Sequence, residues 1–214
     1  MKTKRFQNLK PAMMLVVLLS GCSILGSKTP TTIYAPEPHV IADPSWPMVN
    51  WQLALSHPDA PRMVDTLRIA VRPTPGELEV YKDASWAKTP SEQIEDTVLR
   101  VLEDSQRIPA VARQGSGIAA KYTLLIEVRR YEADYAGNPV PAATIEVNAK
   151  LLRATDQDIV ASQTFLQAVP AAGTSPAVVA EAFGTALGAI SHDIAGWTLG
   201  TGNARDIKGQ RAAK

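Results

Sequence analysis

One cysteine, Cys22, stands in 214 residues. No disulfide can form within the chain, and the fold must rest on an apolar core. Histidine is scarce too. His39 and His57 lie in proline-rich loops and His192 on the last predicted helix, none of them at metal-ligand spacing. Neither sign of charge dominates, with 22 Lys and Arg against 21 Asp and Glu, so no basic surface for nucleic acid is indicated. No apolar run reaches the about 20 residues of a transmembrane helix. A Gly-x-Ser-x-Gly elbow, a phosphate-binding loop and a His-Glu-x-x-His helix are all missing. Glu77 with Glu79, and Asp156 with Asp158, are the nearest things to paired carboxylates. Both pairs fall at turns or strand ends, where acidic residues are simply well solvated. The chain is therefore expected to be no enzyme, with no cofactor and no metal.

What is present begins at the N-terminus. Lys2, Lys4, Arg5 and Lys10 form a basic start, and Pro11 to Leu19 is an uncharged, mostly apolar run. Leu19, Ser20, Gly21 and Cys22 follow. Positive start, short apolar core and small-residue exit are the pattern of a secretion signal, and Leu-Ser-Gly-Cys resembles the bacterial lipobox. That resemblance implies an acylated Cys22 as the first mature residue. Ser23 rather than Asp after the cysteine then favours the outer membrane. A signal cleaved elsewhere would leave a lone thiol in an oxidising compartment, and a third reading makes Cys22 an ordinary buried thiol. Loss of residues 1–21 leaves 18 of the 22 basic residues against 21 acidic ones. The expected organisation is a signal peptide over 1–21, a tether over 22–30, one domain over 31–199 and a flexible tail over 200–214.

Thr31 to Tyr34 is β-prone and stops at Pro36. Residues 36–50 carry Pro36, Pro38, Pro44 and Pro47 and are expected to be irregular or extended. Trp46 within this stretch and Trp51 beside it either cap the core edge or face a partner. Trp51 to Ser56 is a candidate strand, His57 to Pro61 a loop, and Leu67 to Arg72 alternates as a strand. Leu78 to Tyr81 is a short strand, Lys82 to Ala84 a turn, and Ser85 to Ala87 the return. Thr89-Pro90-Ser91-Glu92 combines a capping box with proline at the first helical position. Ile94, Val98, Val101 and Leu102 then recur at helical spacing, with Glu92, Glu95, Asp96, Arg100, Glu103 and Asp104 on the remaining surface. Pro109 prevents continuation.

Val111 to Arg113 is a short strand before the turn Gly115-Ser116-Gly117. Three strands follow, with turns at Gly137 to Pro139 and Thr155 to Asp158. In the first, Tyr122, Leu124, Ile126 and Val128 point one way. In the second, Ala143, Ile145, Val147, Ala149 and Leu151 do so, and Asp158 to Val169 is the third. This is an antiparallel meander with one buried and one wet face. A last helix starts with Ser175 as cap and Pro176 at its first position. Val179, Phe183, Leu187, Ile190, Ile194 and Trp197 form its apolar stripe, and Ala180, Gly184 and Gly188 a strip of small residues. Glu181, His192 and Asp193 oppose a membrane span, so the strip is expected to dock the helix on the sheet. The fold class is α/β of the α+β type: a single domain, a mixed or antiparallel β-sheet with two main helices packed on it.

Trp86 and the strand end at Tyr131 and Tyr135, beside Arg129 and Arg130, are the candidate partner contacts. The alternatives are core packing for Trp86 and solvated strand surface for the tyrosines. The stretch Tyr81-Lys82-Asp83-Ala84-Ser85-Trp86-Ala87-Lys88-Thr89-Pro90, leading into the Ile94–Leu102 helix, resembles the ABC-type transport auxiliary lipoproteins, the PqiC-like family. The order of lipobox, Ile33-Tyr34 strand, Leu67–Arg72 strand and later strand from Tyr122 matches as well, from about Thr31 to Trp197. The resemblance implies a periplasmic α/β domain anchored in the outer membrane through acyl chains on Cys22. It would dock the MCE-domain protein of an intermembrane lipid transport system, with room for a homo-oligomer. No catalytic residues carry over. The rival function is a structural or regulatory lipoprotein, such as a cell-wall synthase activator, which would need a long free spacer.

Overall fold

The structure, a computed structural model, describes residues 30–212. Cys22 and its signal-peptidase motif lie outside the described residues. Ten elements follow one another: β1 (Thr32–Tyr34), β2 (Leu53–Leu55), β3 (Arg68–Arg72), β4 (Glu79–Trp86), α1 (Pro90–Ser105), β5 (Val111–Arg113), β6 (Tyr122–Asp134), β7 (Ala142–Arg153), β8 (Ile159–Pro170) and α2 (Pro176–Ala212). They make a mixed eight-stranded sheet with two helices, the α+β domain expected from the alternating and helical patterns.

The sheet is built on β6. Along one edge it pairs antiparallel with β7 over its full length, from Tyr122↔Arg153 to Asp134↔Ala142. β8 pairs antiparallel with β7, completing the meander. Two strands share the other edge of β6. β2 runs parallel beside its first residues, and β3 runs parallel beside Ala133 and Asp134. β5 flanks β2, β4 flanks β3, and β1 lies parallel on the outside of β4.

Alternation sends Leu124, Ile126 and Val128 of β6, and Ile145, Val147, Ala149 and Leu151 of β7, into one cluster. Ile94, Val98 and Leu102 of α1 and Val179, Phe183, Leu187, Ile190 and Ile194 of α2 belong to the same core. The α1 cap forms as its residues dictate. The Glu92 carboxylate accepts from the Thr89 N–H at 2.8 Å, and the Glu92 N–H donates to the Thr89 hydroxyl at 3.5 Å. The helix ends at Gln106, whose left-handed backbone turns its N–H to the Glu103 carbonyl.

Three local expectations are corrected. Lys82 to Ala84 is no turn between strands but a bulge inside β4. There the register against β3 slips between Arg68 and Ala70, and Asp83 takes φ 56°. Glu95, assigned to the solvated surface of α1, is buried, because the Arg113 Nε at 2.8 Å and the His57 Nδ1 at 2.7 Å close over its carboxylate. The flexible tail does not hold for residues 200–212, which continue α2. This last part of the helix is fixed by Leu199, which is fully buried, by an Arg205 Nη2 bond to the Val160 carbonyl at 2.6 Å, and by the Lys121–Asp206 ion pair.

Candidate functional site

Trp86 and Tyr131 meet deep in the domain. Trp86 leaves β4 and Tyr131 leaves β6 toward the same side, and both rings pack on Phe183 of α2. Tyr131 stacks on Phe183 with centroids 4.8 Å apart and planes 13° apart, while Trp86 stands edge-on to both. The Tyr131 hydroxyl donates to the Gln93 Oε1 at 2.8 Å, and burial pushes its pKa well up. Each ring is 1 % exposed. Neither is accessible to a partner, so burial assigns Trp86 and Tyr131 to the core. Tyr135 is half-buried against the edge of the hydrophobic core and retains some surface.

A bulge explains why Tyr131 turns inward. Between Val128 and Arg130 the pairing with β7 shifts by one residue, leaving Arg129 extra. One inserted residue reverses the parity of every side chain after it. Before the bulge the even-numbered residues face the core, and after it Tyr131 and Ala133 do. Arg130, Glu132 and Asp134 are thereby displayed together on the opposite face. Glu132 is 1 % exposed. Its carboxylate accepts from Arg72 Nε and Nη2, both at 2.8 Å, and from Arg130 Nε at 2.7 Å. Burial raises the Glu132 pKa, but the guanidinium bonds and charges outweigh it and hold the group below the usual carboxylate range.

The least anticipated feature is the course of residues 35–51. Instead of standing free, the proline-rich run lies along α2 and fits its glycines. A methyl group added at Gly184 would stand 3.8 Å from Pro36 Cβ, and one at Gly188 would stand 3.1 Å from Pro38 Cβ. At Gly196 it would reach 2.6 Å from Trp46 Nε1, and at Gly202, 2.3 Å from Trp51 Cζ2. The small-residue strip therefore seats this strap rather than the sheet. Trp46 and Trp51 are buried, and Trp51 also stands edge-on to Tyr122 at 5.1 Å. The signal available in the sequence was the coincidence of a proline-tryptophan run with glycines recurring along one helix.

Between the strap and α2 runs an open groove of about 790 Å³. Tyr34 to Ile41 form one wall. The other is a single face of α2 that includes Ala177, Glu181, Gly184, Thr185, Gly188 and His192. Among the described residues no cluster of His, Cys, Asp or Glu could hold a metal ion. His57 is tied to Glu95, and His192 packs on Trp46 at 4.8 Å. Glu77 bonds Thr74, and Asp156 bonds Arg153, which together with its backbone contacts lowers the Asp156 pKa.

The described residues thus form an α+β domain in which an eight-stranded mixed sheet carries a long C-terminal helix and a proline-rich strap. The model of the family described as "ABC-type transport auxiliary lipoprotein component" matches residues 32–195, and the chain belongs to this family. A crystal structure of a Xanthomonas campestris protein of the DUF330 family is 51% identical, with a TM-score of 0.80. The similarity covers 82% of this chain and 99% of that one. At the level of the fold, a hypothetical protein of Chlamydia trachomatis superimposes with a TM-score of 0.52 at 9% identity, covering 72% of this chain and 98% of that one. No curated protein matches the chain.

Proposed function

We propose that the protein is the docking component of an MCE-type intermembrane lipid transport system. It works without catalysis, on the periplasmic side of the outer membrane, held there by acyl chains on Cys22. The observation that carries this reading is the family match, which takes in the domain from β1 to the middle of α2. Among the described residues no helix is long and apolar enough to cross a membrane. On this reading the acyl chains supply the attachment, at about 0.8 kcal/mol per buried methylene. The partner is an MCE-domain protein, and self-association of the chain on a multi-subunit partner belongs to the same reading. A cell-wall synthase activator would use the proline-rich run as a free spacer. Its seating on the α2 glycines supports the transport reading instead.

The test is affinity capture of the full-length acylated protein from crosslinked cells, with partners identified by mass spectrometry. An MCE-domain protein and its transporter subunits among the main partners are expected. Capture of a peptidoglycan synthase with no MCE protein would overturn the proposal.

A further inference from the structure

The strap carries the pattern of an extended segment, although no strand forms beyond Tyr34. From Ala35 to Ile41 its residues alternate. Pro36, Pro38 and Val40 are partly covered, while Ala35, Glu37, His39 and Ile41 are exposed. Among the described residues the backbone of residues 35–42 makes no hydrogen bond. By contrast, Tyr34 just before it accepts from the Ala87 N–H at 2.8 Å. Open backbone donors and acceptors on an extended segment are a template for a further strand. In an extended strand successive residues turn their N–H groups to opposite edges. Pro36 and Pro38 have none to offer, so one edge is barred. The edge carrying Glu37, His39 and Ile41 keeps its donors.

Pro36 and Pro38 already seat on Gly184 and Gly188, and the part of the α2 wall left open to the groove carries Ala177, Glu181, Thr185 and His192. Seven strap residues at about 3.3 Å each give a track of roughly 23 Å, long enough for a segment of six or seven residues. Charge selects the occupant. Glu37 on the strap and Glu181 on α2 face the groove from its two walls, and neither carboxylate has an ion pair or hydrogen bond among the described residues. Only the two histidines, His39 and His192, bring a basic group to the lining. Anionic headgroups and acidic segments are disfavoured by this arrangement, and a cation between small apolar residues is matched by it.

We propose that this groove binds an extended segment of a partner protein, carrying lysine or arginine among small apolar residues, which adds as a strand to the strap at Glu37–Ile41. The inference goes beyond the transport reading and does not depend on which transporter the protein serves.

The probe is a fluorescein-labelled peptide, Ala-Lys-Val-Lys-Val-Lys-Ala, blocked at both ends. Its binding to the full-length acylated protein in neutral nanodiscs is followed by anisotropy, with empty nanodiscs as blank. Saturable binding is expected, absent when the lysines are replaced by glutamates. It should weaken about fivefold or more in Glu37→Gln/Glu181→Gln, where two carboxylate contacts are lost. Methylating alternate peptide amides keeps the charge and removes the ladder donors, and should abolish binding. Thr185→Trp, an exposed helix position, fills the groove without touching the core and should do the same. Equal binding of the lysine and glutamate peptides overturns the inference, as does full binding of the methylated peptide. So does a groove that takes a fluorescent fatty acid in a Thr185-dependent way and leaves the lysine peptide unbound.

Discussion

Replacing Gly202 by alanine should destabilise the protein, although the same change at Gly200, two residues earlier on the same helix, should stabilise it. Alanine is a better helix former than glycine by about 1 kcal/mol, and in open space that gain is all there is. A methyl group at Gly200 meets nothing within 4 Å, whereas at Gly202 it would lie 2.3 Å from Trp51 Cζ2 and 2.8 Å from Cη2. Trp51 is 4 % exposed and stacked edge-on against Tyr122, so the ring cannot swing into solvent. Overpacking of that kind costs about 1–3 kcal/mol, and a rigid ring puts it at the upper end. Net of the propensity gain, Gly202→Ala should lose about 2 kcal/mol. For a domain of this size that is a fall in Tm of about 4–8 °C, against a rise of about 2–4 °C for Gly200→Ala. Differential scanning calorimetry of the two variants and of Gly202→Ala/Trp51→Leu decides the matter. The double variant should recover part of the lost interaction when compared with Trp51→Leu alone. If Gly202→Ala melts as high as Gly200→Ala, the strap is not seated on α2 as described.

Three other outcomes follow from the same contacts. Trp86→Ala should lose about 3–5 kcal/mol, or roughly 6–20 °C in Tm, because it removes the buried ring that stands edge-on to both Tyr131 and Phe183; a near-unchanged midpoint would restore Trp86 as a surface contact. Glu132 should make the domain acid-sensitive: its folded pKa lies below the unfolded value, so its contribution is complete above the ordinary carboxylate pKa of about 4.3 and is lost as pH falls through the folded value. Tm measured against pH should show Glu132→Gln well below the wild type at pH 7, with the gap closing toward pH 3. Cys22→Ala should release the protein from the membrane fraction and abolish its labelling by a clickable palmitate analogue; labelling that survives the substitution would refute acylation at Cys22.

Much of the scaffold was legible because it depends on short-range rules. The capping box at Thr89 and Glu92, the apolar stripe of α1 and the alternation of β6 and β7 are each decided within a few residues. Tyr131 turns inward because a single residue changes the count along its strand. Arg129, extra in its strand, reverses the parity that Tyr122 to Val128 establish, and no composition rule marks it as the bulged position. Beside two arginines, Tyr131 reads as surface for that reason alone. Glu95 reads as surface because its cover comes from His57 and Arg113, far away in the chain. The extension of α2 was hidden by Gly200, Gly202 and Gly209, which local propensity counts as breakers. At Gly202 the missing side chain is what lets Trp51 close, so the residue that weakens the helix locally secures it against the strap.

The strap also sets a direction. Pro36 lies at Gly184, Pro38 at Gly188, Trp46 at Gly196 and Trp51 at Gly202, so the chain enters the domain near the start of α2 and runs parallel to the helix. From Gly184 to Ala212, at about 1.5 Å per residue, the helix advances roughly 40 Å away from that entry. Any pull on the chain before Thr32 is therefore felt first by β1 and then by the strap. β1 is three residues long and, among the described residues, pairs only with β4. Among the described residues, the strap beyond it has no backbone hydrogen bond before Asp43. What resists the pull is side-chain fit, which strengthens along the path from the looser contact at Gly184 to the buried rings of Trp46 and Trp51. Peeling should thus stop at Trp46, leaving the core of the sheet intact. The groove formed between the strap and α2 would be lost in the same step, so occupancy of that groove and tension on the chain before Thr32 are opposed by construction.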